Sequence, residues 1–346
     1  MKLEKGNTIA KLLTEYLKPY HTISIIGTAK NAGKTTVLNQ IIKEYKNTVI
    51  ALSSIGLDGE KIDNITAREK PRIKVYPQMI LATAQACLTE CYFDYEVIEK
   101  TAISSPLGDI VIIKVLTEGL ALVAGPSTIT AMKEIVEIFK KHQVTKILID
   151  GALFRKSLAS IKVSDATVLA TGASYAKNID KVVEDTALLV EELTLKEVEK
   201  DLYELLINER NSLVMDKKNN KTVINLTTLL NNEKTVKTYL TKKTKYLYLT
   251  GALTNKLVQV MIDQRFILDD LTIIVKDSTH IIVDPSYMKK LKLTNTKVLV
   301  LKQLNVLFLT YNPSSPFGYH FKDDLFKQKL TEKINLPIIN VLKDLE

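Results

Sequence analysis

Between an apolar run and a helical pattern the chain reads Gly27-Thr28-Ala29-Lys30-Asn31-Ala32-Gly33-Lys34-Thr35-Thr36, and the reading of this stretch decides the fold. An anion cradle needs converging backbone N–H groups, small residues where the chain wraps the anion, and a helix N-terminus whose dipole favours negative charge. Each requirement has its residue. Ile23 to Ile26 is a buried strand, Gly27 makes the exit turn, Gly33 lets the backbone approach phosphate, Lys34 reaches the terminal phosphates, and Thr35 offers a hydroxyl to Mg2+. Thr28, Lys30, Asn31, Ala32 and Thr36 complete the lining, and Val37-Leu38-Asn39-Gln40-Ile41-Ile42 supplies the apolar face of the helix that follows. Five residues separate Gly27 from Gly33, one more than in the common phosphate-loop motif.

Outward from this loop, short apolar runs alternate with helical patterns. Strands are predicted at Thr22 to Ile26, Val49 to Leu52 and Lys74 to Tyr76, with helices from Thr35 to Tyr45 and near Ile80 to Leu88. Tyr95 to Glu99 and Asp109 to Val115 read as a hairpin arm around Ser104-Ser105-Pro106-Leu107-Gly108. Leu120 to Ala124, a helix from Thr128 to His142, Lys146 to Ile149 and Val168 to Ala170 then restore the alternation. Strand then helix, repeated, means an α/β fold: a mostly parallel sheet with helices on both faces. Residues 1–185 form this core. A charged, helix-favouring stretch at 186–245 reads as a helical insertion or linker, and 246–346 as a C-terminal α/β part completing or extending the core. Its strands are expected at Tyr246 to Leu249, Leu271 to Val275, Ile281 to Val283, Lys297 to Leu301 and Val306 to Thr310, with a closing helix from Asp323 to Lys333.

The carboxyl ends of parallel strands face the ligand crevice, so their loops hold the other candidate groups. Asp58, in Ser53-Ser54-Ile55-Gly56-Leu57-Asp58-Gly59, is placed to hold Mg2+ or orient an attacking water; an ordinary Asp-Gly turn is the plainer reading. Lys146-Ile147-Leu148-Ile149-Asp150 is an apolar strand ending in a carboxylate, the form that binds Mg2+ through water opposite Thr35. Arg155 reaches either a phosphate or a surface acid. Gly125-Pro126-Ser127-Thr128 opens a helix, with capping favoured over anion binding. His21, His142, His280 and His320 have no zinc spacing and no nucleophile beside them.

Composition removes several function classes. Of the 48 basic residues only five are arginine, and the lysines are interleaved with acids, so a charge of +9 reads as solvated surface rather than a nucleic-acid stripe. No run approaches the roughly 18 apolar residues of a membrane span. Cys87 and Cys91, four apart in an expected helix, suit core packing, and with a charged N-terminal stretch they point to a reducing cytoplasm.

The spacing Gly27-Thr28, four residues, then Gly33-Lys34-Thr35 resembles dethiobiotin synthetase and its relatives in the SIMIBI class of P-loop proteins. That resemblance implies Mg2+-dependent ATP or GTP binding and hydrolysis, with Lys34, Asp58 and Asp150 in catalytic roles. It also implies a base-recognition loop at Asn312-Pro313-Ser314-Ser315-Pro316, where Asn312 is the candidate and a plain turn the alternative. Lys30 is similar to the extra lysine of that class, which implies a phosphate contact across a dimer, although it stands three residues before Gly33 rather than four. Ser53-Ser54 replaces the Lys-Pro that serves the synthetase's substrate, so the nucleotide site carries over and the ligase reaction does not. More narrowly, the loop together with Ser-Ile-Gly-Leu-Asp-Gly-Glu, Asp-Gly-Ala-Leu-Phe-Arg-Lys-Ser and Asn-Pro-Ser-Ser-Pro resembles a family encoded with lysine 5,6-aminomutase. This implies a subunit of a reactivase for that adenosylcobalamin enzyme, a homodimer or a second reactivase subunit being its partner. A small-molecule ligase or kinase and a non-hydrolysing nucleotide scaffold are the rival readings.

Overall fold

In a computed structural model of the chain, residues 13–55, 72–151, 163–226, 232–264, 270–340 and 343 are described. They fall into two compact units. One comprises Met1–Ala187 with Asn305–Glu346, the other Leu188–Leu304.

The first unit holds β1 (Thr22–Gly27), β2 (Ile50–Ser54), β3 (Ile73–Val75), β4 (Ile80–Ala84), β5 (Tyr95–Ser105), β6 (Gly108–Val115), β7 (Gly119–Ala121), β8 (Lys146–Asp150) and β9 (Ala166–Gly172). Strands β1, β2 and β9 are buried at every position, as strands covered on both faces must be, which is why they read as apolar runs without alternation. With β17 (Val306–Asn312) and β18 (Ile338–Ile339) they lie in a nine-stranded sheet with the order β18-β17-β9-β1-β8-β2-β4-β6-β5. The pairs are parallel from one edge to β4, and the β5–β6 hairpin closes the other edge antiparallel. Leu38, Ile41 and Ile42 of the helix Lys34–Glu44 pack with Ile23, Ile25, Leu52 and Leu148 of the sheet in one core. The helix Ile129–Lys141 is capped by Thr128, whose Oγ1 accepts from Ala131 N at 3.2 Å, and it buries Met132, Ile135, Val136 and Phe139. The capping reading of this corner is the one realised.

The second unit holds β10 (Leu213–Asp216), β11 (Lys221–Val223), β12 (Thr244–Leu249), β13 (Leu253–Thr254), β14 (Thr272–Val275), β15 (Ile281–Ile282) and β16 (Lys297–Val300). Its sheet runs β11-β10-β12-β14-β16, with β12, β14 and β16 parallel and β10 antiparallel to β12. The chain then returns to the first sheet as β17 (Val306–Asn312) and β18 (Ile338–Ile339), with β17 against β9.

Three expectations need correction. Ile80 to Leu88 is not a helix: Ile80–Ala84 is a fully buried strand between β2 and β6, and only Gln85–Glu90 turns, as a short 3-10 segment. Alanine and leucine favour helix in isolation, but burial on both sides of a sheet overrides that preference. Cys87 is buried in that turn, Cys91 ends it, and neither forms a disulfide among the described residues. Lys74 to Tyr76 and Leu120 to Ala124 do not join the large sheet; β3 and β7 pair with each other as a separate antiparallel ribbon. The stretch 186–245 is not a helical insertion alone, because its β10 and β11 belong with β12, β14 and β16, while only the residues after Leu304 rejoin the first unit.

Candidate functional site

Strand β1 delivers the loop at the middle of the parallel sheet, with β8 on one side and β9 on the other. Thr28 N donates to Ala170 O at 2.9 Å, and Thr28 Oγ1 shares a 3.1 Å hydrogen bond with Thr171 Oγ1, which in turn meets Thr186 Oγ1 at 2.8 Å. All three threonines are buried, so this hydroxyl chain fastens the start of the loop to its neighbours. The loop then turns through two left-handed residues, Asn31 at φ 60° and Gly33 at φ 100°, and Gly33 caps the helix without a side-chain hydrogen bond. Among the described residues, the backbone N–H groups of Asn31, Ala32, Gly33, Lys34, Thr35 and Thr36 donate to no acceptor, and no acidic residue stands in the first helical turn. Six consecutive free donors at a helix N-terminus form a nest for an anion.

Lys34 folds back against Gly27. A Cβ built on Gly27 would lie 3.0 Å from Lys34 Cγ and Cδ and 3.3 Å from Nζ, so the absence of a side chain at 27 is what lets the lysine stem lie flat there. Burial lowers the Lys34 ammonium below the ordinary lysine range, opposed by Asp150 and reinforced by the neighbouring Lys30 charge. Asp150 ends β8, in register with Ile25 and Ser54. Although Asp150 as a residue is partly exposed, its Oδ1 is buried and has no hydrogen-bond partner among the described residues. Burial pushes this carboxyl up to about 6, restrained by Lys34. An orphaned buried carboxylate oxygen calls for a partner. Thr35, the second residue of the helix, is half-buried. Lys30 and Asn31 are exposed at the loop tip, Ala32 is buried, and Thr36 is half-buried.

Asp58 and Arg155 lie outside the described residues. Ser53 and Ser54 turn inward: Ser53 Oγ donates to Ala82 O at 3.0 Å, and Ser54 Oγ donates to Val123 O at 2.8 Å while accepting from Gly125 N. Gly125 is obligatory there, since a Cβ would lie 1.9 Å from Ser54 O. Asn312 ends β17 with its side-chain amide committed to protein: Oδ1 accepts from Ser314 N at 3.0 Å, and Nδ2 donates to Asn31 O at 3.2 Å. Tyr319, in the turn after β17, donates from its hydroxyl to Ala173 O at 2.7 Å. The parts that sequence reasoning missed are Thr171, Thr186, Gly172 and Tyr319. Of these only Gly172, ending a buried apolar run, carried a local signal.

Among the described residues no cluster of three or more histidine, cysteine, aspartate or glutamate side chains is arranged to hold a metal, and no helix is long and apolar enough to cross a membrane. Compared with known proteins, the chain matches no protein-family model and no curated sequence.

Proposed function

We propose that this protein binds a nucleoside triphosphate, ATP in preference to GTP, and hydrolyses it with Mg2+ to drive a conformational or assembly step. The observation that carries the reading is the row of six unpaired backbone donors from Asn31 to Thr36, with the Lys34 stem folded against Gly27 at the start of the same loop. Those amides hold phosphate oxygens, and the desolvated Lys34 ammonium stabilises charge on the terminal phosphoryl group. Thr35 and Asp150 suit Mg2+, which prefers hard oxygen donors, keeps several waters and shares its shell with substrate phosphates. An ion held there would supply charge neutralisation to the phosphates. The exposed Lys30 suits a phosphate contact in a dimer.

The test is phosphate release with ATP beside GTP, for the wild type and Lys34→Ala. Turnover that falls on the order of a hundredfold or more in the variant, with the fold retained, is expected; turnover unchanged by the substitution refutes the reading, and no turnover in either protein leaves the non-hydrolysing scaffold. ADP formation only on adding a metabolite would favour a ligase or kinase. For the client, the motif resemblance favours an adenosylcobalamin-dependent lysine 5,6-aminomutase, and restoration of inactivated mutase by ATP and this protein, with or without a second subunit, is the decisive assay.

A further inference from the structure

The loop after β17 reaches the phosphate nest from two strands away. Neighbouring strands lie about 4.8 Å apart, so β17 stands about 10 Å from β1 with β9 between them. Asn312 is paired in register with Gly172 of β9. A Cβ on Gly172 would sit 2.7 Å from Asn312 O and 3.1 Å from Asn312 Cβ, so the glycine opens the lane through which Asn312 crosses to the loop. Pro313 restricts the backbone of Asn312 to extended conformations. Ala173 N donates to Asn312 O at 2.9 Å, and Phe321 N donates to Pro313 O at 2.9 Å. With Oδ1 taken by Ser314 N, the only polar end left is Nδ2, and it lies on Asn31 O.

That contact sets the orientation of one peptide unit. A trans peptide is planar, with its C=O and N–H on opposite sides, and no cis peptide occurs among the described residues. Holding the Asn31 carbonyl toward Asn312 therefore turns the Ala32 N–H away from Asn312. Ala32 N–H is one of the six free donors. A flip of this peptide would put a carbonyl where the donor stands and would repel an anion. The Asn312 contact opposes that flip and also supports Asn31 in its left-handed conformation, which non-glycine residues rarely adopt.

Resting on the phosphate-site reading above, we infer that Asn312 is a positioning residue for phosphate: it locks the Asn31–Ala32 peptide with its N–H available to the ligand, and it does not read the base. Its effect then falls on the phosphate chain whatever base is attached.

The experiment is calorimetric binding of ATP, GTP and inorganic tripolyphosphate to the wild type, Asn312→Ala and Asn312→Asp, with thermal unfolding of each. Asp is nearly isosteric and cannot donate to the Asn31 carbonyl, so it keeps the test open if the alanine variant folds poorly. The expected result is a loss of affinity on the order of tenfold, equal for all three ligands, in both variants. Loss confined to ATP or GTP with tripolyphosphate unaffected would make Asn312 a base reader and overturn the inference. Unchanged affinities in folded variants would overturn it too, while leaving the phosphate site standing. Wild type that binds none of the three would refute the phosphate site and this inference with it.

Discussion

Replacing Asp150 with asparagine removes a titrating group whose burial opposes its charge. In the native protein burial holds this carboxyl at about 6, against 3.8 ordinarily. Because the native value lies above the unfolded one, the folded state binds the extra proton, so stability falls as pH rises between about 4 and 6 and stays lower above that window. At about 1.4 kcal/mol per pH unit the charged carboxylate costs the metal-free protein about 3 kcal/mol at pH 8. Asparagine has no charge to bury but leaves its amide unpaired, which takes back about 1 kcal/mol. Asp150→Asn is thus expected to be more stable than wild type by about 2 kcal/mol at pH 8 in EDTA, with the gap closing near pH 4. Urea unfolding at intervals between these limits, with amide exchange of β8 to report the unit concerned, measures the gap. A variant less stable than wild type at pH 8, or a gap that does not change with pH, would refute the account. The same variant should lose most Mg2+-dependent turnover, a trade of activity against stability expected of a functional carboxylate.

Gly33→Ala places a side chain at φ 100°, which should cost roughly 1–2 kcal/mol in chemical denaturation and weaken ATP binding more than that loss explains. Lys146 donates from Nζ to the carbonyls of Leu17, Lys18 and Tyr20, so Lys146→Met strands three acceptors and should lower stability by about 3 kcal/mol, read as a reduced urea midpoint. Thr171→Val breaks both links of the Thr28–Thr171–Thr186 chain; a loss of about 2 kcal/mol is expected, with faster amide exchange at Thr28, and unaltered exchange there would contradict the fastening role.

Some features of this chain were legible in sequence because their causes are local. Gly27, Gly33 and Lys34 satisfy backbone and side-chain demands within ten residues of one another, and the helix that follows begins at Lys34, one residue from where periodicity puts it. The helix Asp323–Lys333 and the hairpin of β5 and β6 were equally readable, the first from its boundaries and the second from its turn residues. The strand ending in Asp150 was visible as an apolar run that stops at a carboxylate, but the charge that carboxylate keeps was not, since it depends on burial and on Lys34, 116 positions away in the chain.

What only the tertiary structure decided depends on pairing between distant segments. Ile80–Ala84 has the composition of a helix and becomes a strand because β2 and β6 bracket it. Residues 246–304 look like a continuation of the core, yet their strands bury against β10, and the chain rejoins the large sheet only at β17. Asn312 sits in a run that reads as a turn. Its reach to Asn31 exists because β9 lies between β17 and β1 and carries a glycine at the crossing point. The sequence by itself therefore determined where the backbone nest is placed, since a nest is built from contiguous residues. Which distant side chains hold that nest in shape is a property of strand order, and strand order is set by burial across the whole sheet rather than by any local pattern.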